Sequence, residues 1–193
     1  MREFLTVRSR VAAAAFVIGS VCFAIAALPS AAEQLGLITT NIVFVVGSVF
    51  FTIGAACSLA DPTWWSSGIQ LLGTLLFNLS TALALVSVVS AGAAGGTGWR
   101  PDVYGSVCFL VSSAMAVHPS NRGRDRAGAW LNLGGSILFA AAAVGSFVVP
   151  GTDALLSPFW TGLGTVGGAL LFLASGVLGL MPHAAPETSV AER

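Results

Sequence analysis

The sequence predicts an all-α integral membrane protein, a six-transmembrane-helix bundle forming a single domain over residues 1–193. Three observations predict it. First, 55% of the residues are apolar and only 8% are charged, with a mean hydropathy of +0.88. A soluble domain carries about 25% charged residues, so this chain cannot clothe a globule in charge. Second, the apolar residues fall into six continuous runs. Barrel strands alternate in polarity, so continuous runs point to helices. Third, each run holds a glycine four residues before a phenylalanine: Gly19–Phe23, Gly47–Phe51, Gly73–Phe77, Gly105–Phe109, Gly135–Phe139 and Gly168–Phe172. Positions i and i+4 share a helix face, so every helix presents a notch with a ring one turn above it. Small residues of this kind let membrane helices approach closely.

The elements follow in order. Met1–Arg10 is polar and basic, and the first apolar run covers residues 11–28. Ser30-Ala31-Ala32 after it resembles a signal-peptidase site, which makes a cleaved signal the alternative reading. The run is longer than the usual h-region of about 7–15 residues and carries the motif of the later runs, so it is read as a retained helix. The second run covers 36–59 and is broken by Asp61-Pro62. Trp64-Trp65 marks a membrane interface, and the third run covers 66–89. A Gly/Ala-rich stretch leads to Trp99-Arg100-Pro101-Asp102 and a short fourth run at 103–117. Residues 118–126 hold three arginines, the fifth run covers 127–149, a loop with Asp153 follows, and the sixth run covers 159–181. A span needs about 20 apolar residues. The first and fourth runs are short and depend on flanking anchors. Residues 182–193 are expected to form a disordered tail.

The arginines set the orientation. With the N-terminus inside, the inner segments hold Arg2, Arg8, Arg10, Arg122, Arg124, Arg126 and Arg193, and the outer loops hold only Arg100. This positive-inside bias predicts cytoplasmic termini in a bacterial inner membrane. The partners it implies are the lipid bilayer and either a second copy or another membrane protein. A formal net charge of zero argues against nucleic acid.

The first and fourth runs share V-x-G-S-V-C-F, at Val17–Phe23 and Val103–Phe109. Aligning them pairs Gly19 with Gly105, Gly47 with Gly135 and Gly73 with Gly168. That predicts two halves, 1–90 and 99–181, of three helices each and of opposite topology, the inverted-repeat plan of many transporters. The competing reading is six independent packing notches.

Chemistry is sparsely supplied. No ionisable residue lies in mid-membrane, where proton relays and ion-coupled pumps need one. H-E-x-x-H, G-x-S-x-G and P-loop motifs are absent, and a serine in the bilayer with no histidine or lysine near it lacks a base. An enzyme is not expected. Cys22, Cys57 and Cys108 lie in separate runs without metal-ligand spacing, so neither a metal nor a cofactor is expected. The polar signal is in the third run. Gln70, Thr74, Asn78 and Thr81 fall within an arc of about 80° at 100° per residue. Facing lipid would leave two amides unpaired, so the stripe is expected to face the bundle interior. Asn41, Ser48 and Thr52 make a second stripe, and Asn132 with Ser136 a third. Together these nine residues read either as a neutral binding site or as interhelical hydrogen bonds.

The segments Asn41–Leu59 and Ile69–Leu85 resemble the YrhK-like membrane domain, two helices with V-G-S-x-x-F-type motifs, carried here at Gly47–Phe51 and Gly135–Phe139. The stretch Trp64–Thr81, with Gln70, Gly73-Thr74, Phe77-Asn78 and Ser80-Thr81, resembles uncharacterised actinobacterial six-helix membrane proteins. The resemblance implies a membrane fold and no activity. Two functions follow from the residues: a small transporter or channel-like carrier for a neutral or weakly polar solute, or a non-catalytic accessory subunit of a membrane complex or homo-oligomer. The predicted orientation is checked by placing a single cysteine within 118–126 in a chain without the native cysteines. An impermeant thiol reagent added outside should leave it unlabelled, and labelling would reverse the topology.

Overall fold

A computed structural model describes residues 2–59, 64–91, 100–152 and 154–181. The elements are α1 (Arg2–Ala26), a short α2 (Ala31–Leu35), α3 (Leu37–Ser58), α4 (Trp64–Ala91), α5 (Pro101–Ala116), α6 (Gly123–Gly145) and α7 (Pro158–Leu180). Expectations for Asp61-Pro62, Trp99, Asp153 and the 182–193 tail lie outside the described residues.

Helix ends obey local chemistry more than hydropathy. α1 starts at Arg2, well before the apolar run. It ends at Ala26 as Pro29 approaches, since the residue before a proline is pushed out of the α region. Pro101 and Pro158 each stand at a helix start, where the missing N–H costs nothing. Ser157 caps α7 by accepting from the Trp160 amide at 3.3 Å. Gly36, with φ of 79°, makes the turn from α2 into α3. α6 stops at Gly145, four residues short of the apolar run's end. There Phe147–Leu156 folds back on itself, with Leu156 N–H donating to Phe147 O at 2.7 Å and Val149 N–H to Ala154 O at 3.0 Å.

Among the described residues, five helices are long and apolar enough to cross a membrane: Val7–Ala26, Leu37–Ser58, Trp64–Ser90, Gly123–Gly145 and Pro158–Leu180. With 16 residues, α5 rises about 24 Å, short of the roughly 30 Å hydrocarbon core. The outward faces are rich in exposed Leu, Ile and Val, and large exposed aromatics stand at both ends: Trp64, Trp65 and Trp130 at one, Tyr104, Phe159 and Trp160 at the other. That is the distribution of an interfacial aromatic belt.

The six long helices close into a ring in the order α1, α3, α4, α5, α6, α7 and back to α1. Within it the notch glycines pair two by two. A Cβ added to Gly19 would lie 2.9 Å from the Gly47 carbonyl oxygen, one on Gly105 3.0 Å from that of Gly73, and one on Gly168 3.0 Å from that of Gly135. The ring is therefore three antiparallel hairpins: α1/α3, α4/α5 and α6/α7. In each hairpin the phenylalanine of one helix covers the glycine of the other. Phe23 lies over Gly47 and Phe51 over Gly19; Phe77 over Gly105 and Phe109 over Gly73; Phe139 over Gly168 and Phe172 over Gly135. This is why glycine and phenylalanine recur at a spacing of four. The inverted halves receive no support from these contacts. Under that scheme the Gly19–Gly47 approach would recur between Gly105 and Gly135, but Gly105 meets Gly73 instead.

All six motif phenylalanines are buried and form the core. Phe23, Phe77 and Phe139, one from the first helix of each hairpin, make a triangle with ring centroids 6.4, 5.8 and 5.7 Å apart. Phe51, Phe109 and Phe172 form a second layer, with Phe172 6.0 Å from Phe51 and 6.1 Å from Phe109. Edge-to-face and offset ring pairs contribute about 0.5–1.5 kcal/mol each beyond area burial.

Among the described glycines the tightest is Gly164 of α7, where a Cβ would lie 2.5 Å from Leu138 O and 2.8 Å from Ala142 N of α6. Backbone atoms cannot step aside as a flexible side chain can. Gly164→Ala should lower thermal stability in detergent, by about 1–3 kcal/mol for overpacking. Gly68→Ala meets nothing within 4 Å and should be neutral or gain up to about 1 kcal/mol. Equal responses from the two variants would contradict the packing.

Candidate functional site: polar seams and a blind recess

Among the described residues, the side chain-to-side chain hydrogen bonds between helices lie in the seams between hairpins. Between α3 and α4, Asn78 Nδ2 donates to Thr52 Oγ1 at 2.8 Å, and Ser48 and Thr81 hydroxyls meet at 3.0 Å. Thr52 Oγ1 in turn donates to Ser48 O at 3.1 Å, and Thr81 Oγ1 to Asn78 O at 3.1 Å. The Asn78 Oδ1 atom is buried without a partner. Between α5 and α6, Ser113 and Ser136 hydroxyls meet at 2.7 Å and Asn132 Nδ2 donates to Ser113 Oγ at 2.9 Å. Arg100 fastens the far end of this seam. It forms a two-pronged ion pair with Asp102 and donates to Ser146 O, Ser146 Oγ and Ala143 O at the end of α6. A cation there also faces the negative end of the helix dipole. The α7/α1 seam is sealed by small residues instead: a Cβ on Gly176 would lie 2.9 Å from Val17 Cγ2.

The predicted stripe on α4 therefore does not act as a unit. Its residues share an arc but span about 16 Å of helix at 1.5 Å per residue, so they meet different surroundings. Asn78 and Thr81 bind α3, and buried Thr74 donates to its own Leu71 carbonyl at 2.8 Å. Gln70 makes no hydrogen bond to any described residue. The second stripe splits likewise: Ser48 and Thr52 join the seam, while Asn41 donates to Leu37 O of its own helix at 2.9 Å. Asn132 and Ser136 bind α5 rather than α4. The notch glycines Gly19, Gly47, Gly73, Gly105, Gly135 and Gly168 are all buried at hairpin contacts. Ser113 escaped the sequence reading. It lies four residues past Phe109, as Thr81 does past Phe77, and that repeated offset was the available signal.

Gln70 and Asn132 do share one place. Each stands three residues before its notch glycine, and both line a cavity of about 260 Å³ inside the ring. Ser9, Ser58, Ser175, the Phe16 and Phe172 rings and several alanines and glycines of α1, α6 and α7 form the rest of its wall. The cavity lies at the end of the bundle that carries Arg8, Arg122, Arg124 and Arg126. Hydrogen bonds across the hairpin mouths mark that end: Arg8 to Cys57 O at 3.4 Å, Ser66 Oγ to Ser112 O at 2.8 Å and Ser175 Oγ to Gly128 O at 3.0 Å. From that end the recess reaches Phe172 of the second phenylalanine layer.

Residues 85–150 match the family model of YrhK-like protein. The YrhK-like stretch covers the end of α4, all of α5 and α6, and the α5/α6 seam with Arg100, Ser113, Asn132 and Ser136. It lies C-terminal to the segments on which the sequence resemblance was drawn, Asn41–Leu59 and Ile69–Leu85, and shares with them only Leu85, though it includes Gly135–Phe139. The shift has a physical reason: the glycine–phenylalanine motif does the same packing work in all six long helices, so it cannot single out one pair. Comparisons with curated proteins and with solved structures found no match.

The α3/α4 seam predicts an asymmetry. Thr52→Val leaves the buried Asn78 donor unpaired, at a cost of about 1–3 kcal/mol. Asn78→Leu removes that donor together with the unpartnered Oδ1 and should cost less, about 0.6 kcal/mol on average for such membrane hydrogen bonds. Thermal unfolding of both variants in detergent checks the order, and the reverse order would contradict the seam.

Proposed function

We propose that the protein is a non-catalytic, multi-pass protein of the bacterial inner membrane, with cytoplasmic termini, that works by association. It would serve as an accessory subunit to another membrane protein or assemble with copies of itself. The observation that supports this reading is the pair of phenylalanine layers. A conduit needs a path along the axis of the ring. Here Phe23, Phe77 and Phe139 close that axis, with Phe51, Phe109 and Phe172 as a second layer. Ser48, Thr52, Asn78, Thr81, Ser113, Asn132 and Ser136 are instead spent sideways on the seams. Among the described residues, no Asp, Glu, His or Arg side chain borders the layers to couple movement to an ion gradient.

One observation favours a carrier for small neutral solutes: the recess with Gln70 and Asn132 reaches the layers from one side, as a one-sided access path would. Flux separates the readings. In proteoliposomes, the parent protein should leave urea and glycerol permeation at the rate of protein-free vesicles, and Phe77→Ala/Phe139→Ala should raise it by opening the axis. Permeation raised by the parent itself would overturn the association reading in favour of the carrier.

A further inference from the structure

The recess at the arginine end has a hydrogen-bonding sense, and its wall gives it away. Ser58 Oγ spends its hydrogen on Gly54 O at 3.0 Å, and Ser175 Oγ spends its own on Gly128 O at 3.0 Å. The Asn132 amide is fixed by a chain of donors. Ser136 donates to Asn132 O at 2.9 Å, so Ser113 must supply the hydrogen of the 2.7 Å Ser113–Ser136 bond. Ser113 can then only accept from Asn132, which places Nδ2 on Ser113 and leaves Oδ1 without a donor. Two serine oxygens, Asn132 Oδ1 and Gln70 Oε1 are thus acceptors with lone pairs to spare. Gln70 Nε2 and the Ser9 hydroxyl at the rim are the donors left over.

We propose that this recess is a binding site for a small, neutral molecule rich in N–H donors, of the urea or primary amide class. Neutrality follows from the charges. No carboxylate lines the cavity. Among the side chains described at that end of the bundle, Arg8, Arg10, Arg122, Arg124 and Arg126 outnumber the carboxylate of Asp125, so a cation is disfavoured. An anion would meet the acceptors' lone pairs. Size agrees: about 260 Å³ exceeds the roughly 150 Å³ that takes a benzene ring. Phe16 and Phe172 offer a flat apolar wall, and the Gln70 carboxamide can pair donor and acceptor with a second amide at once. The inference rests on reading the recess as blind, but its test does not depend on flux. Equilibrium binding to detergent-solubilised protein is the readout, so it can fail or succeed whichever way the vesicles behave.

The test uses methylurea and tetramethylurea, which share a carbonyl but differ in N–H donors, with saturation-transfer NMR and empty micelles as blank. Gln70 makes no hydrogen bond to any described residue, so Gln70→Leu changes the recess wall without breaking a bond among them, and Gln70→Ala repeats the test with the volume left open. Transfer to methylurea should saturate with concentration, and its affinity should drop about fivefold or more in both variants, the loss of one hydrogen bond. Tetramethylurea should show no saturable transfer. Absence of saturation for methylurea, indifference to both Gln70 variants, or equal behaviour of the two ureas would each overturn the proposal.

Discussion

Two helices can close to backbone contact only where a Cβ is missing at their crossing. This chain arranges that crossing three times, with a glycine from each partner. At Gly105 a single added carbon would reach within 2.6 Å of Phe77 and 3.0 Å of a carbonyl oxygen. The close approach brings the phenylalanine one turn on from each glycine over the opposite notch, so six rings converge where the hairpins meet. In a bilayer, lipid offers no hydrophobic drive toward helix association, and packing of this kind must supply it. Seams between hairpins are then free to use hydroxyls and amides, because the core has already been built within them.

That division explains the burial of the residue after each glycine. Ser20, Ser48, Thr74, Ser106, Ser136 and Ala169 are all among the most enclosed side chains in the molecule. Each must be small enough to lie beside a backbone crossing. Ser48 and Ser136 turn that confinement into a bond across a seam, whereas Ser20 and Ser106 bury their hydroxyls without a partner. Where a seam has neither, as between α7 and α1, Gly176 and Gly179 substitute closeness for polarity.

Much of the architecture was legible in the residues. The helical class follows from the unbroken apolar runs, and the notch role of glycine from its spacing to phenylalanine. What the spacing could not reveal is which notch meets which. Gly19 resembles Gly105 most closely in its surrounding letters, and that likeness suggested a pairing of halves. Contacts, however, depend on which helices are neighbours in the ring, and chain adjacency put Gly19 beside Gly47. The polar stripe divides among different surroundings for a related reason. An arc of 80° fixes direction but not height, and at different heights Gln70 faces a recess while Asn78 faces Thr52. Ser58 and Ser175 carried no sequence signal, because they reach the recess from the trailing ends of other helices.

The central claim is that three hairpins close into one ring, so that the first and last long helices touch. Gly179 and Ala13 test it directly, since a Cβ at 179 would lie 3.2 Å from that of Ala13, close to the roughly 3.5–4.5 Å span of a disulfide. Cysteines placed at both positions, in a chain without Cys22, Cys57 and Cys108, should cross-link within one molecule under mild oxidation. The product should be a monomer that migrates faster on a non-reducing gel and reverts with reductant. No cross-link, or one formed only between two chains, would contradict the closed ring.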